Sequence, residues 1–194
     1  MTVLQGILLG LLQGLTEFLP VSSSGHLALA GHFFRIESPG VVFEVFVHFG
    51  TALAVIFYFR RRVGTIIVAA FRWLFRLEHD RDAARLAWHL IIGTVPAGVI
   101  GFLLADRVEV LFERAFFVAI FLIATGVVLW LTRRLKPGWK AHEGAAEAVG
   151  IGFAQAAAIL PGVSRSGATI AAGLLSGVKR ERAAEFAFLL SVPV

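Results

Sequence analysis

The sequence predicts an all-α, polytopic membrane protein, a single transmembrane domain over residues 1–194 with inverted-topology repeats and two re-entrant helix-turn-helix segments. Three observations carry that expectation. Hydrophobic residues fill 58% of the 194 positions and charged ones 16%, and mean hydropathy is +0.82, which is too apolar for a soluble globule of this length. Residues 44–59, 86–105 and 116–131 are nearly free of charge. Two further apolar stretches, residues 3–34 and 145–178, are each broken by a polar cluster, and the clusters resemble one another.

At the N-terminus, Met1-Thr2-Val3 carries no basic region and no small-residue cleavage site follows, so the first apolar run is structural rather than a secretory signal. Residues 3–34 are interrupted by Glu17-Phe-Leu-Pro-Val-Ser-Ser-Ser-Gly-His26. A spanning helix needs roughly 20 residues, and neither half provides them. Non-helical backbone at membrane depth survives only where protein buries it or where it lines a wet cavity, which makes this segment a re-entrant helix-turn-helix. Residues 44–59 then form a transmembrane helix, ended by Arg60, Arg61 and Arg62.

The connection over residues 60–85 also carries Arg72, Arg76, Arg81 and Arg85, and the one after residue 131 carries Arg133, Arg134, Lys136 and Lys140. Such basic loops face the cytoplasm. Residues 86–105, with Pro96 inside, form a kinked second span. The charge-balanced connection at residues 106–114 belongs outside, and residues 116–131 form the third span. Trp73, Trp88, Trp130 and Trp139 lie in or beside the basic connections, as expected of rings seated among headgroups. Residues 145–178 are broken by Pro161-Gly-Val-Ser-Arg-Ser-Gly167 and form the second re-entrant element; a last helix begins at Glu185.

A shift of 142 positions aligns the two broken segments without a gap, placing Gly10 on Gly152, Gln13 on Gln155, Val21 on Val163, Ser22 on Ser164, Ser24 on Ser166 and Gly25 on Gly167. Glu44 and Glu185 match more weakly at a shift of 141. The first repeat covers about residues 1–105 and the second starts at about 145. The helix from Glu44 runs inward to Arg60, whereas the helix from Glu185 starts beside Lys179, Arg180 and Arg182 and runs outward. Opposite crossing senses are the sign of inverted repeats, and the two tips then meet near the midplane. By this logic the second repeat lacks its final counterparts at residue 194, so a truncated chain is expected.

The tips hold the residues fit for chemistry. Ser22, Ser23 and Ser24 offer hydroxyls, and the N–H groups at the start of the following helix favour an anion, although capping alone would also account for a serine there. Arg165, between Ser164 and Ser166 and far from any basic loop, has the geometry to grip two phosphate oxygens; the alternative is an ion pair with Glu17. Gln13 and Glu17 stack four residues apart and present oxygens to Mg²⁺ or Ca²⁺, or else form a buried polar pair. His26, three residues after Ser23, is the candidate base for a serine nucleophile or itself the nucleophile. Thr169, four after Arg165, either donates to the same phosphate or bonds back to its own helix. His32 and His48 have no such company and are read as structural. Cysteine is absent, which excludes disulfides and thiolate chemistry. The pI near 10.7 reflects charge beside apolar segments, where anionic headgroups hold it, rather than nucleic-acid binding.

Gln13-Gly-Leu-Thr-Glu17-Phe-Leu-Pro-Val-Ser-Ser-Ser-Gly-His26 and Leu160-Pro-Gly-Val-Ser-Arg-Ser-Gly-Ala-Thr169 resemble the two signature regions of the bacterial undecaprenyl-diphosphate phosphatases, the group linked to bacitracin resistance. The resemblance covers essentially the whole chain. It implies an inner-membrane enzyme that converts undecaprenyl pyrophosphate to the monophosphate for cell-wall carrier recycling, depends on a divalent cation, and opens its pocket to the outer face. It implies activity roles for Glu17, Ser23, His26 and Arg165, and a phosphate site lined by Ser164, Ser166 and Thr169; Ser22 and Ser24, whose hydroxyls sit in the first tip, are further candidate substrate-binding residues. Gln13 stands where many members carry glutamate. Membrane lipids are the expected surroundings, and the resemblance leaves room for a homodimer.

Type 2 phosphatidic-acid phosphatases share Ser-Gly-His and Ser-Arg elements, but their histidine six residues after the arginine is here Ala171, and their Lys-x6-Arg-Pro motif is missing. The rival readings are a secondary transporter with inverted repeats and a lipid flippase. Transport of a neutral solute would not require Arg165 plus a serine-histidine pair; lipid flipping without hydrolysis is tested by labelled-lipid accessibility in vesicles.

Overall fold

A computed structural model describes residues 1–36, 40–112 and 114–193. Among these residues the chain forms nine helices, α1 (Val3–Thr16), α2 (Ser23–Phe33), α3 (Gly40–Tyr58), α4 (Arg60–Leu74), α5 (Arg81–Phe112), α6 (Ala115–Thr132), α7 (Ala145–Ala157), α8 (Arg165–Leu175) and α9 (Arg180–Leu190). Outside them, an isolated bridge pairs Lys140 with Val178. The all-helical expectation holds.

Each broken segment folds as a helix-turn-helix, α1 packing on α2 and α7 on α8. With 14 and 11 residues in the first pair and 13 and 11 in the second, every arm is shorter than about 22 Å at roughly 1.5 Å per residue, well below the ~30 Å of a bilayer core. Helix α1 starts with a capping box, Thr2 Oγ1 accepting from Gln5 N–H at 3.3 Å while Gln5 Oε1 accepts from Thr2 N–H at 2.7 Å.

Among the described residues, Arg81–Leu104 within α5 and α6 (Ala115–Thr132) are long and apolar enough to cross a membrane; the apolar part of α3, Phe43–Tyr58, is shorter. Side chains such as Phe57, Phe102, Phe116 and Ile123 stand exposed on these helices. In water so much apolar surface would be costly, and against lipid it costs nothing.

Three boundaries differ from the sequence reading. Residues 60–85 are largely helix α4 rather than loop, because the arginines alternate with Val63, Ile66, Ile67 and Ala69 at helical spacing and Ile66 and Ala69 pack inward. Helix α5 stays helical across Pro96 and on to Phe112, consuming most of the expected outer connection. The last helix begins at Arg180, five residues before Glu185.

The core sits between α5, α7 and α9, where Leu86, Ala148, Ile151, Phe186 and Leu190 are buried together. Helices α5 and α7 cross at van der Waals contact of their backbones: a Cβ on Gly152 would stand 2.5 Å from the Gly93 carbonyl oxygen. Beside that crossing, Arg182 donates to Glu143 at 3.0 Å and to Glu185 at 2.9 Å, and Arg62 donates to Glu185 at 2.8 Å. This network ties α4 and the segment before α7 to α9 and so holds the frame on which the second tip stands.

Candidate active site

Both tips are built the same way. Ser22 caps α2, its Oγ accepting from Gly25 N–H at 3.3 Å, and Ser164 caps α8, its Oγ accepting from Gly167 N–H at 3.0 Å. In each, the capping hydroxyl pairs with the serine two residues on, Ser22 with Ser24 at 3.3 Å and Ser164 with Ser166 at 3.2 Å. Thr125 of α6 clamps the second tip, donating to the Gly162 carbonyl at 3.0 Å and accepting from Ser164 N–H at 3.2 Å.

The tips touch. A Cβ on Gly25 would lie 3.0 Å from the Gly162 Cα and 2.9 Å from Leu122, so only glycine allows this approach. Ser166 Oγ reaches across to donate to the Leu19 carbonyl at 3.2 Å. The expected meeting of two hairpin tips distant in sequence is therefore realised.

Glu17 is the centre of the junction. Arg165 Nη2 donates to its Oε1 and Ser23 Oγ donates to its Oε2. Gln13 Nε2 donates to Oε2 at 2.8 Å, and His48 Nε2 stands 3.7 Å from the same oxygen. The Glu17 side chain is 8% exposed against 28% for Arg165, so the carboxylate is enclosed while the guanidinium retains a face toward a cavity of about 200 Å³. The wall of that cavity includes Glu17, Ser22, Ser23, Ser24, Ser164, Arg165 and Ser166 from the two tips, with Glu44, His48 and Gln155.

Seven of the candidate residues are thus brought to one chamber, and three stand apart from its wall. Gln13 is fully buried behind Glu17. Thr169 bonds back to its own helix, donating to the Arg165 carbonyl at 2.7 Å. His26 Nδ1 donates to the Ser22 carbonyl at 2.7 Å; this leaves the lone pair on Nε2, and Ser23 takes Glu17, not His26, as its hydrogen-bond partner. The ion pair weighed as the alternative role of Arg165 is formed.

Glu44 and His48, read as a weak repeat match and a structural histidine, both line the cavity. His48 Nδ1 donates to the Glu44 carbonyl at 2.8 Å, which turns Nε2 toward Glu17. The signal was present: two ionisable residues one turn apart in an otherwise apolar helix.

Glu17 and Gln13 do not make a cation site by themselves. Gln13 spends its amide nitrogen on Glu17 while its Oε1 is buried without a partner, and Arg165 occupies the second carboxylate oxygen. Among the described residues no group of three or more His, Cys, Asp or Glu side chains is arranged to hold a metal ion. A hard cation could meet this chamber only with phosphate oxygens supplying most of its ligands.

The family model described as "Bacitracin resistance protein BacA" matches residues 6–194. The chain belongs to this family. Relatives carrying the name undecaprenyl-diphosphatase include one from Desulforapulum autotrophicum, 47% identical over 205 residues, covering all of this chain and 74% of the relative. Another, from Pseudoalteromonas translucida, is 41% identical over 202 residues, again the whole chain and 73% of the relative. One from Methanobrevibacter smithii is 42% identical over 207 residues with the same coverage of 100% and 73%. In this bacitracin-resistance family member, the two motif segments contribute Glu17, Ser22, Ser23, Ser24, Ser164, Arg165 and Ser166 to the chamber wall, and Glu44, His48 and Gln155 come from outside them.

Proposed function

We propose that the chain hydrolyses undecaprenyl pyrophosphate to undecaprenyl phosphate and inorganic phosphate, in a bacterial inner membrane and from a chamber open to the outer side. The observation that carries this reading is the placement of a serine hydroxyl and a guanidinium on the two oxygens of one enclosed carboxylate. The relatives' names supply the substrate. The basic residues of α4 and of the segment after α6 support a cytoplasmic position for those parts and hence the outward opening. Arms too short to span support the re-entrant reading of both hairpins.

The diphosphate enters between the N-termini of α2 and α8, whose first N–H groups lack intrahelical acceptors and favour negative charge. Ser22, Ser24, Ser164 and Ser166 line that space and orient the phosphates. Arg165 transfers from Glu17 to the phosphate oxygens, because a diphosphate carries more charge than one carboxylate. Glu17, released from its cation, becomes the better base and takes the proton of Ser23 Oγ. The Ser23 oxygen bonds the terminal phosphorus, the bridging P–O bond breaks, and prenyl phosphate departs. Water then cleaves the phosphoserine to release inorganic phosphate. Thr169 braces the turn that carries Arg165 through its bond to the Arg165 carbonyl.

A divalent cation, Mg²⁺ or Ca²⁺, would be held mainly by the diphosphate oxygens, with Glu17 as the tip carboxylate that would complete its ligands and Gln13 orienting Glu17 from behind, and would supply charge neutralisation. A homodimer remains part of the proposal, to be read from the mass of the detergent-solubilised protein.

His26 carries a second reading. The tautomer its Nδ1 bond selects suits Nε2 for proton removal from the hydrolytic water, or for attack on phosphorus in place of Ser23. Acid quench of the purified protein turning over a terminally ³²P-labelled prenyl pyrophosphate separates the two. Acid-stable label on serine, absent from Ser23→Ala, supports the first; acid-labile, base-stable label supports the second; transport of intact lipid with no phosphate release would overturn both. Transporter and flippase readings are disfavoured by a chamber that assembles a hydroxyl, a carboxylate and a guanidinium.

A further inference from the structure

Gln155 is the repeat mate of Gln13, at the same shift of 142 positions that pairs the tips. The two amides are equally buried, Gln13 0% and Gln155 2% exposed, but they are used differently. Gln13 donates to the carboxylate of Glu17, one turn ahead in its own helix. The position one turn ahead of Gln155 is Ile159, which has nothing to accept a hydrogen bond. Both Nε2 and Oε1 of Gln155 are consequently without a partner. Buried polar groups are nearly always satisfied, and an amide left wholly unpaired is costly unless a ligand completes it.

Gln155 stands in the wall of the same chamber as Arg165 and Ser164. Its backbone is firmly placed, since Gly152, one turn earlier, lies against Gly93 of α5. We propose that Gln155 is a substrate-binding residue whose amide N–H donates to a phosphate oxygen of the diphosphate, taking from the ligand the anionic partner that Glu17 gives its repeat mate. The inference rests on the phosphatase reading of the chamber and adds a contact from outside the two tips. It also makes the binding site asymmetric: one glutamine holds the protein's own carboxylate, the other the substrate's phosphate.

The competing role is structural. Pro96 of α5, whose ring lies 3.0 Å from where a Gly152 Cβ would be, has no N–H to satisfy the carbonyl four residues earlier, and an amide nearby could serve that carbonyl instead. The test compares wild type with Gln155→Met, similar in length but unable to hydrogen-bond, and with Gln155→Glu, in the purified full chain. The measurements are KM and kcat for a prenyl pyrophosphate, calorimetric affinity for inorganic pyrophosphate, and the unfolding midpoint. A hydrogen bond to a charged group corresponds to about 10- to 100-fold in affinity. Gln155→Met is expected to weaken pyrophosphate binding and raise KM by that factor, with kcat changed far less and the unfolding midpoint equal or higher; Gln155→Glu should bind more weakly still. Pyrophosphate affinity within twofold of wild type in Gln155→Met overturns the proposal, and a lowered midpoint beside it assigns the amide to the backbone of α5. Because the affinity is measured without turnover, a protein that hydrolyses no prenyl pyrophosphate refutes the functional reading separately.

Discussion

Ser23 and Arg165 stand at the same position of the two repeats, 142 residues apart, and donate to opposite oxygens of the one carboxylate of Glu17. The two tips therefore bring two chemically different side chains, a hydroxyl and a guanidinium, to one point.

The pair at Glu17 makes stability and activity separable. Removing one partner of an enclosed ion pair leaves the other charge unpaired and costs about 3–5 kcal/mol at full burial, less here because the guanidinium is partly exposed. Arg165→Gln and Glu17→Gln should each lower the unfolding midpoint, whereas the double variant should recover most of that loss, as a double-mutant cycle will record. Hydrolysis should be abolished in all three. Independent, additive losses of stability would contradict the pairing.

Arg165 holds one oxygen of Glu17, and the proposed mechanism asks it to grip two oxygens of phosphate. Arg165→Lys keeps the charge but loses the planar fork, so kcat/KM should fall about 100-fold or more. A fall under threefold would mean that charge alone suffices.

Gly25 allows the tips to touch. Gly25→Ala places a methyl group against the Gly162 backbone and Leu122, an overpacking that costs about 1–3 kcal/mol, and separation of the tips should lower kcat at least about tenfold. Gly126→Ala on α6, where an added Cβ meets nothing within 4 Å, serves as the comparison and should retain activity and stability. Equal behaviour of the two variants would refute the role of close approach.

His48 faces Glu17 across 3.7 Å. His48→Ala should reduce kcat by about tenfold, the scale of losing one orienting contact near a base, with hydrolysis partly restored in His48→Asn. Unchanged kcat in His48→Ala would return this residue to a structural role.

The cation prediction is read by chelation. With excess EDTA, release of phosphate from a prenyl pyrophosphate should fall to near background and return on adding Mg²⁺ or Ca²⁺. Full activity in chelator would remove the cation from the proposal and leave charge neutralisation to Arg165 and the helix N-termini.

Much of the chamber could be read from the chain. Serines beside glycine and proline in otherwise apolar runs have few physical roles, and an arginine in such a run must find an anion. Helix α4 is not legible from charge alone: its arginine density has the look of a loop, whereas Val63, Ile66 and Ala69 follow a helical period. Glu44 and His48 are not legible one at a time, because the partner that gives His48 meaning is Glu17, from another part of the chain.

Composition, charge asymmetry and the repeated polar clusters by themselves determined that the chain is helical, belongs in a bilayer and gathers serines and an arginine in two tips, since these depend on solvation and local backbone preference. Only the tertiary structure decided that Ser23 turns to Glu17 instead of His26, that His48 joins the site and that Gln155 is left unpaired. Those outcomes depend on distances between helices far apart in the sequence, where a displacement of one ångström makes or breaks a hydrogen bond, and no spacing along the chain encodes them.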